Sequence, residues 1–404
     1  MSGAGRGERA GWDGLIVLCA TTEYGGIRMG DWHLASQLSR LGPVLFVDPP
    51  ASSLAGLRRR GRPGPPARPS LSVIRPGLAR LTPVVQPFPA RRGTVGVTTA
   101  LTRGYLRWAT SRLAASVTAV ISGWPVFPVF GSCSERVSVY WAKDDYVGGA
   151  GLLGLDPHLT GARERAVAGR ADLIVAANPL VAGLWRQRGL DPLLIPFGTD
   201  AAAFRGVDQA GRPDDVRLPA PVAGFIGHIN DRLDLALLEE IAARGRSLLL
   251  VGPADPRFEP RRFAALTAAP NVTWVGPRPA AALPGYLRVI DVGLVPYRDS
   301  AFNRGSFPLK TLEYLAAGRA VVSTDLPATR WLATDLVRIA AGPASFADQV
   351  DLAVARGRSP ADIALRRQFA EAHSWQRRAA QVHAAITACC AATGKTTTGY
   401  REFN

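Results

Sequence analysis

Lysine is nearly missing from this chain of 404 residues: only Lys143, Lys310 and Lys395 occur, so a net charge of +16 is almost entirely arginine. Against a background crowded with Ala, Gly and Pro, that bias looks like GC-rich coding rather than selection for a polycation. RNP-like motifs are absent, as are aromatic residues interleaved with the arginines, which argues against nucleic acid as a partner. Cysteine is scarce as well. Cys19, Cys133, Cys389 and Cys390 show no CxxC spacing and no His-rich neighbourhood, which removes a zinc site and leaves buried or idle thiols in a reducing compartment. No stretch approaches the roughly 20 apolar residues that span a bilayer, and the N-terminal MSGAGRGERAGWDG lacks the apolar run of a signal peptide. A cytoplasmic protein, at most peripheral to the inner membrane face, is expected. One further absence is local: no acidic residue lies between Asp48 and Glu135, whereas twelve arginines lie from Arg58 to Arg112. This asymmetry over 58–112 favours an anionic surface such as membrane phospholipid, with a solvated arginine-rich loop as the alternative.

Hydrophobic residues make up 47% of the chain, enough for two buried cores. Short apolar runs alternate with amphipathic stretches throughout. The runs GLIVLCA (14–20), PVLFVD (43–48), VTAVIS (117–122), VSVYWA (137–142) and DLIVAA (172–177) predict strands in the first half. In the second half VAGFIG (222–227), SLLLVG (247–252), NVTWVG (271–276), DVGLVP (291–296), AVVSTD (320–325) and LVRIA (336–340) do the same. Strands of this kind separated by helices imply parallel sheets covered on both faces, hence an α/β chain of two doubly wound, Rossmann-like domains. The Gly-, Pro- and charge-rich segment 204–221 reads as the linker between a first domain at 1–203 and a second at 222–372. RRRGRPGPPARPS (58–70) reads as a mobile surface loop.

In such sheets ligands bind beyond the carboxyl ends of the strands, where helix N-termini offer free N–H groups to phosphates. Three loops qualify. GHINDR (227–232) offers Gly227, His228 and Arg232; the loop from 276 offers Gly276 and Arg278; and 297–315 leads into a helix expected to start near Ser306, as N-cap, with Pro308 in its first turn. On that helix Lys310 and Glu313 share one face. A cation near the helix start can neutralise phosphates while a carboxylate one turn on accepts ribose hydroxyls, which predicts a nucleotide ligand. The alternative is an exposed ion pair worth a few tenths of a kcal/mol.

The run SFPLKTLEYLAAGRAVVSTDLP (306–327) resembles the donor signature of GT-B glycosyltransferases of the retaining family 4, or group 1, type, a P-x-K-x-x-E-x-x-A-x-G-x-P-V-like pattern. YGGIRMGDWHLASQLSRLGPVLFVD (24–48) resembles that family's N-terminal glycine loop, RADLIVAANPLVAGLWRQRG (170–189) and LLIPFGTDAAAF (193–204) the end of its first domain, and GFIGHINDRLDLALLEEIA (224–242) the start of its donor domain. HSWQRRAAQVHAAI resembles its closing helix, placed at 373–388 and expected to return toward the first domain ahead of a flexible tail at 389–404. KDDYVG (143–148) matches a teichuronic-acid-biosynthesis-like subgroup. The resemblance implies two domains facing across a cleft and closing to exclude water, and transfer of a sugar from a nucleotide-diphosphate sugar to a hydroxyl of an acceptor that is a saccharide, a lipid-linked molecule or a small molecule. It implies no metal and no cofactor beyond the donor. Lys310 and Arg232 would stabilise the leaving diphosphate, Glu313 bind ribose, Gly276 and Arg278 border the base, Gly227 and His228 line the donor loop, and Gly25 and Gly26 face the phosphates. Where the family carries a first glutamate, eight positions before the second, this chain has Gly305, so sugar contacts are expected from Asn303, Ser306 or backbone amides. Asp144 and Asp145 are acceptor candidates, or a turn and helix cap. Two other functions stay open: a sugar-nucleotide epimerase, for which only His228 lies on a donor loop, and a non-catalytic nucleotide-sugar-binding scaffold.

Overall fold

A computed structural model describes residues 9–26, 28–53, 68–91, 93–151 and 154–393. They form two compact units. The first takes the chain up to Ala177, then Val181–Pro196 and the residues from Arg378 on; the second takes Asn178–Leu180 and Phe197–Arg377.

In the first unit the strands are β1 (Leu15–Cys19), β2 (Val44–Val47), β3 (Ala51–Ser52), β4 (Ser70–Arg75), β5 (Leu78–Thr82), β6 (Val84–Val85), β7 (Val117–Ser122), β8 (Val137–Ala142), β9 (Leu173–Ala176) and β10 (Leu193–Leu194). Eight of them build one sheet in the order β10-β9-β8-β7-β1-β2-β5-β4, parallel except where β4 runs against β5. Both faces of β1, β2, β7 and β8 are buried, which is why their sequences read as unbroken apolar runs. The β4–β5 hairpin gives no such run. Its edge strand exposes Val73 and Ile74, and its turn depends on Gly77 at φ 75°. Burial pushes the Cys133 thiol up to about 12 and the Cys19 thiol higher still, so both stay protonated at neutral pH. Of the loop expected at 58–70, all but Arg68, Pro69 and Ser70 lies outside the described residues.

The second unit contains β11 (Val222–Ile226), β12 (Ser247–Val251), β13 (Val272–Trp274), β14 (Val292–Val295), β15 (Ala320–Thr324) and β16 (Val337–Ala340). They form a wholly parallel sheet in the order β13-β12-β11-β14-β15-β16, which reverses direction of growth between β11 and β14. The helix Leu309–Ala316 docks on it through Leu312, Tyr314 and Leu315, all essentially without exposure. Tyr314 crosses Gly293 of β14, where any side chain would overlap the ring, and its hydroxyl accepts from the Ile226 amide at 2.9 Å. That contact fixes the helix's rotation and leaves Lys310 and Glu313 half-buried on its other face.

Two expectations are corrected. Segment 204–221 is not a linker: it belongs to the second unit, buries Val207, Val216 and Leu218, and ties Asp208 to Arg319 and Arg367 and Asp215 to Arg278. Its apolar residues are too irregularly spaced to show a period, yet each reaches the core. The helix expected to start at Ser306 begins at Leu309 with Pro308 at the cap position, and the Ser306 hydroxyl is turned back onto the Phe302 carbonyl at 2.8 Å. The last helix runs Trp375–Thr393.

Candidate functional site

The second unit gathers polar groups where its sheet order reverses. The loop after β11 and the loop after β14 pair directly: Asp234 donates its amide to the Pro296 carbonyl and Arg298 to the Arg232 carbonyl, both at 2.9 Å. This places Arg232 against Tyr297. Its guanidinium lies 4.7 Å from the Tyr297 ring centre and 5.0 Å from that of Phe302, and its Nε donates to Asn303 Oδ1 at 2.9 Å. From the helix, the Lys310 ammonium reaches over the bare backbone of Gly227 and sits 5.6 Å from the Phe225 ring centre. Burial alone would push the Tyr297 phenol up, but the Lys310 and Arg232 cations beside it outweigh this and hold it below its ordinary value. Neither cation has a carboxylate within salt-bridge distance among the described residues. Lys310 and Glu313 therefore do not form the surface ion pair that their spacing allowed.

Beneath them is a floor of backbone. Gly227 donates to the Val251 carbonyl and Gly252 to the Gly276 carbonyl, each at 2.8 Å, so the ends of β11, β12 and β13 are laced together through three glycines. Gly252, at φ 136°, lies so close to the Gly227 carbonyl that a side chain would overlap it. His228 is exposed on the same loop. Arg278 is half-buried and held by Asp215 at 2.6 Å and by the Tyr286 hydroxyl at 2.8 Å.

Asn303 and Ser306 do not serve as sugar contacts. Asn303 is fully buried: both amide hydrogens go to the Arg232 and Arg298 carbonyls and its oxygen to Arg232, so its task is to aim that guanidinium. Ser306 is buried too, and its carbonyl accepts from Asn178 Nδ2 at 2.6 Å.

In the first unit, Gly25 and Gly26 are exposed in the loop after β1, where Gly26 donates to the Glu23 carbonyl at 3.1 Å. Carboxylates clamp this loop at both ends. Asp48 accepts from the Tyr24 amide at 2.8 Å and from Arg80 at 2.7 Å. Asp31, 1% exposed, accepts from the Thr21 amide and the Thr21 and Thr22 hydroxyls, and pairs with Lys143 at 2.7 Å. The Lys143 ammonium also donates to the Thr21 hydroxyl at 2.6 Å and stands 5.0 Å from the Trp141 ring centre. Asp145 caps its own turn, accepting from the Gly148 amide at 2.8 Å, while Asp144 is half-buried. Within KDDY it is thus Lys143 and Tyr146 that are built into the interior, the Tyr146 hydroxyl donating to the Gly123 carbonyl at 2.6 Å. Among the described residues no cluster of His, Cys, Asp or Glu could hold a metal ion.

Residues 220–355, covering the sheet and both cations, match the family described as glycosyl transferases group 1. Over 110 residues the chain is 43% identical to the teichuronic acid biosynthesis glycosyltransferase TuaH of Bacillus subtilis, a match spanning 27% of this chain and 28% of TuaH, well under half of that relative's length. As a whole the chain resembles sucrose-phosphate synthase from Thermosynechococcus elongatus, with a TM-score of 0.68 at 16% identity over 94% of this chain and 99% of that one. It also resembles Anabaena HepE in complex with UDP, at 0.65 and 12% over 93% and 99%. The fold is GT-B.

Within the matched segment Glu313 carries a testable cost. Burial pushes its carboxyl above the ordinary 4.5, offset only in part by Lys310. An acid that holds its proton more tightly when folded loses stability as pH rises from its unfolded value through its folded one, and the penalty persists at pH 7. Glu313→Gln is therefore expected to raise the melting temperature at pH 7 by about 2–4 °C, with the gap closing below pH 4; scanning calorimetry at the two pH values checks it. Tyr297, Phe302, Asp31, Asp48 and Lys143 were not singled out from sequence. For Lys143 a signal existed, the same rarity of lysine that drew attention to Lys310.

Proposed function

We propose that this chain is a nucleotide-sugar-dependent glycosyltransferase acting with retention, on the strength of one arrangement: Lys310 and Arg232, neither paired to a carboxylate, meet at Tyr297 above a floor of glycine backbone. Two cations with no carboxylate partner, one of them lying over the side-chain-free backbone of Gly227, suit a diphosphate, and Glu313, one turn further on, is assigned to the ribose. As the glycosidic bond breaks, negative charge gathers on the departing diphosphate, where fixed cations stabilise the transition state more than the ground state. With that charge met by side chains, the proposed reaction takes no cofactor beyond the donor. Gly276 and Arg278 are assigned to the base side, and Gly227 and His228 to the donor loop. The acceptor is a hydroxyl of a saccharide, a lipid-linked sugar or a small molecule, with Asp144 nearest that role. HepE has been solved with UDP, which makes uridine donors the first to try. We assign the protein to the cytoplasm, with residues 58–112 facing an anionic membrane surface; no helix among the described residues is long and apolar enough to cross a membrane.

Purified protein incubated with UDP-, GDP- and ADP-sugars is expected to release free nucleoside diphosphate slowly, and to produce an axial or equatorial linkage matching the donor's when an acceptor is found. Isomerised donor without release would instead identify an epimerase, and nucleotide binding with neither outcome a scaffold.

A further inference from the structure

The helix Val95–Arg112 is amphipathic in the reverse sense. Alongside Leu106 and Ala109 it buries Thr98, Thr102 and Thr110, whose hydroxyls are satisfied by the Pro89, Thr98 and Leu106 carbonyls at 2.8, 2.7 and 3.0 Å. Outward it presents Val97, Leu101 and Trp108, which are 53%, 38% and 45% exposed. Positions 97, 101, 104 and 108 fall on successive turns, so they make one stripe. Along it runs an open groove of about 430 Å³ lined by Pro69, Ala100, Leu101, Gly104, Tyr105 and Trp108, with almost no polar lining. Near the helix start Phe88, 47% exposed, carries the Arg91 guanidinium 4.2 Å from its ring centre. Arg68, Arg91, Arg107 and Arg112 are exposed around this apolar strip, and no carboxylate occurs anywhere from 49 to 134.

We infer that this face inserts shallowly into an anionic phospholipid leaflet, the stripe entering the acyl boundary and the arginines meeting headgroup phosphates; the inference rests on the reading of 58–112 as membrane-facing and adds the inserting residues. Tryptophan on an apolar stripe bordered by arginine is the composition of an in-plane membrane anchor. Charge argues against self-association: a second copy on the same face would set arginine against arginine, and residues 49–134 supply no carboxylate to separate them.

The test is sedimentation of the full chain with vesicles of equal parts phosphatidylcholine and phosphatidylglycerol, and with phosphatidylcholine alone, at low and high salt. Binding is expected only to the anionic vesicles, and Leu101→Glu and Trp108→Glu, both at exposed positions and checked for an unchanged melting temperature, are expected to weaken it roughly ten-fold or more. If the two variants bind as the unmodified protein does, insertion is overturned and adsorption by charge stands. Failure of the unmodified protein to bind at low salt overturns both readings. A dimer that Leu101→Glu dissociates, without vesicle binding, overturns insertion in favour of self-association.

Discussion

Lys310→Ala is expected to lower sugar transfer from the nucleotide donor by about 10²–10³-fold, the scale on which removal of one preorganised charge-stabilising donor acts, with little change in melting temperature. The asymmetry follows from the site. Lys310 is half-buried and no carboxylate lies within salt-bridge distance of it among the described residues, so its removal breaks no direct ion pair and withdraws only the partial offset it gives to the burial of Glu313. What it does have is a position over Gly227 and beside Tyr297, from which, under the proposed function, it would meet a charge that appears only as the donor breaks. The loss should therefore fall mainly on kcat, with nucleoside diphosphate affinity reduced less, and Lys310→Arg should not restore it because a planar fork cannot occupy the same space above the backbone. Removing the ammonium should also let the Tyr297 phenol titrate at higher pH, a change visible by ultraviolet titration. Turnover that survives Lys310→Ala intact would show that the diphosphate is held elsewhere.

Asp31→Asn is expected to cost the first unit about 3–5 kcal/mol, the range for leaving a buried charge without its partner. Lys143 is 5% exposed, and without Asp31 only the Thr21 hydroxyl and the Trp141 ring remain beside its ammonium. The double variant Asp31→Asn/Lys143→Met, which removes both charges, should recover most of the loss. Because a chain of two units need not unfold in one step, the informative measurement is amide exchange at Thr21, whose N–H Asp31 accepts at 3.1 Å. Faster exchange in Asp31→Asn, slowed again in the double variant, is the expected pattern; an unchanged rate would mean that the loop carrying Gly25 and Gly26 is braced by Asp48 alone.

The strands were legible because a parallel strand buried on both faces must be apolar at every position, as in Val44–Val47 and Leu248–Val251. The edge hairpin at Ser70–Thr82 obeys no such constraint and passed unseen. Helices Pro343–Arg356 and Pro360–Ala372 were missed although each opens with proline at its first turn, the second capped by Ser359. At the site, Lys310 and Glu313 stood out as a pair one turn apart, a local pattern. The pairing of Asp31 with Lys143 joins residues 112 apart, and that of Asn303 with Arg232 residues 71 apart; neither leaves a mark in local spacing. For the same reason Asn303 looked like a ligand contact when its amide is wholly engaged in holding another side chain.

The glycine floor bears on how donor choice could change in this lineage or in the laboratory. Because Gly252 admits no side chain against Gly227, the contact between these two glycines beneath Lys310 stays main chain whatever the surrounding sequence does. A feature made of main chain is blind to substitution, so under the proposed function it would grip what all nucleotide-sugar donors share and could not be tuned to tell them apart. Selectivity would then be written at the margins, at exposed His228 and along the loop from Gly276, with the grip unchanged while the preferred sugar or base drifts.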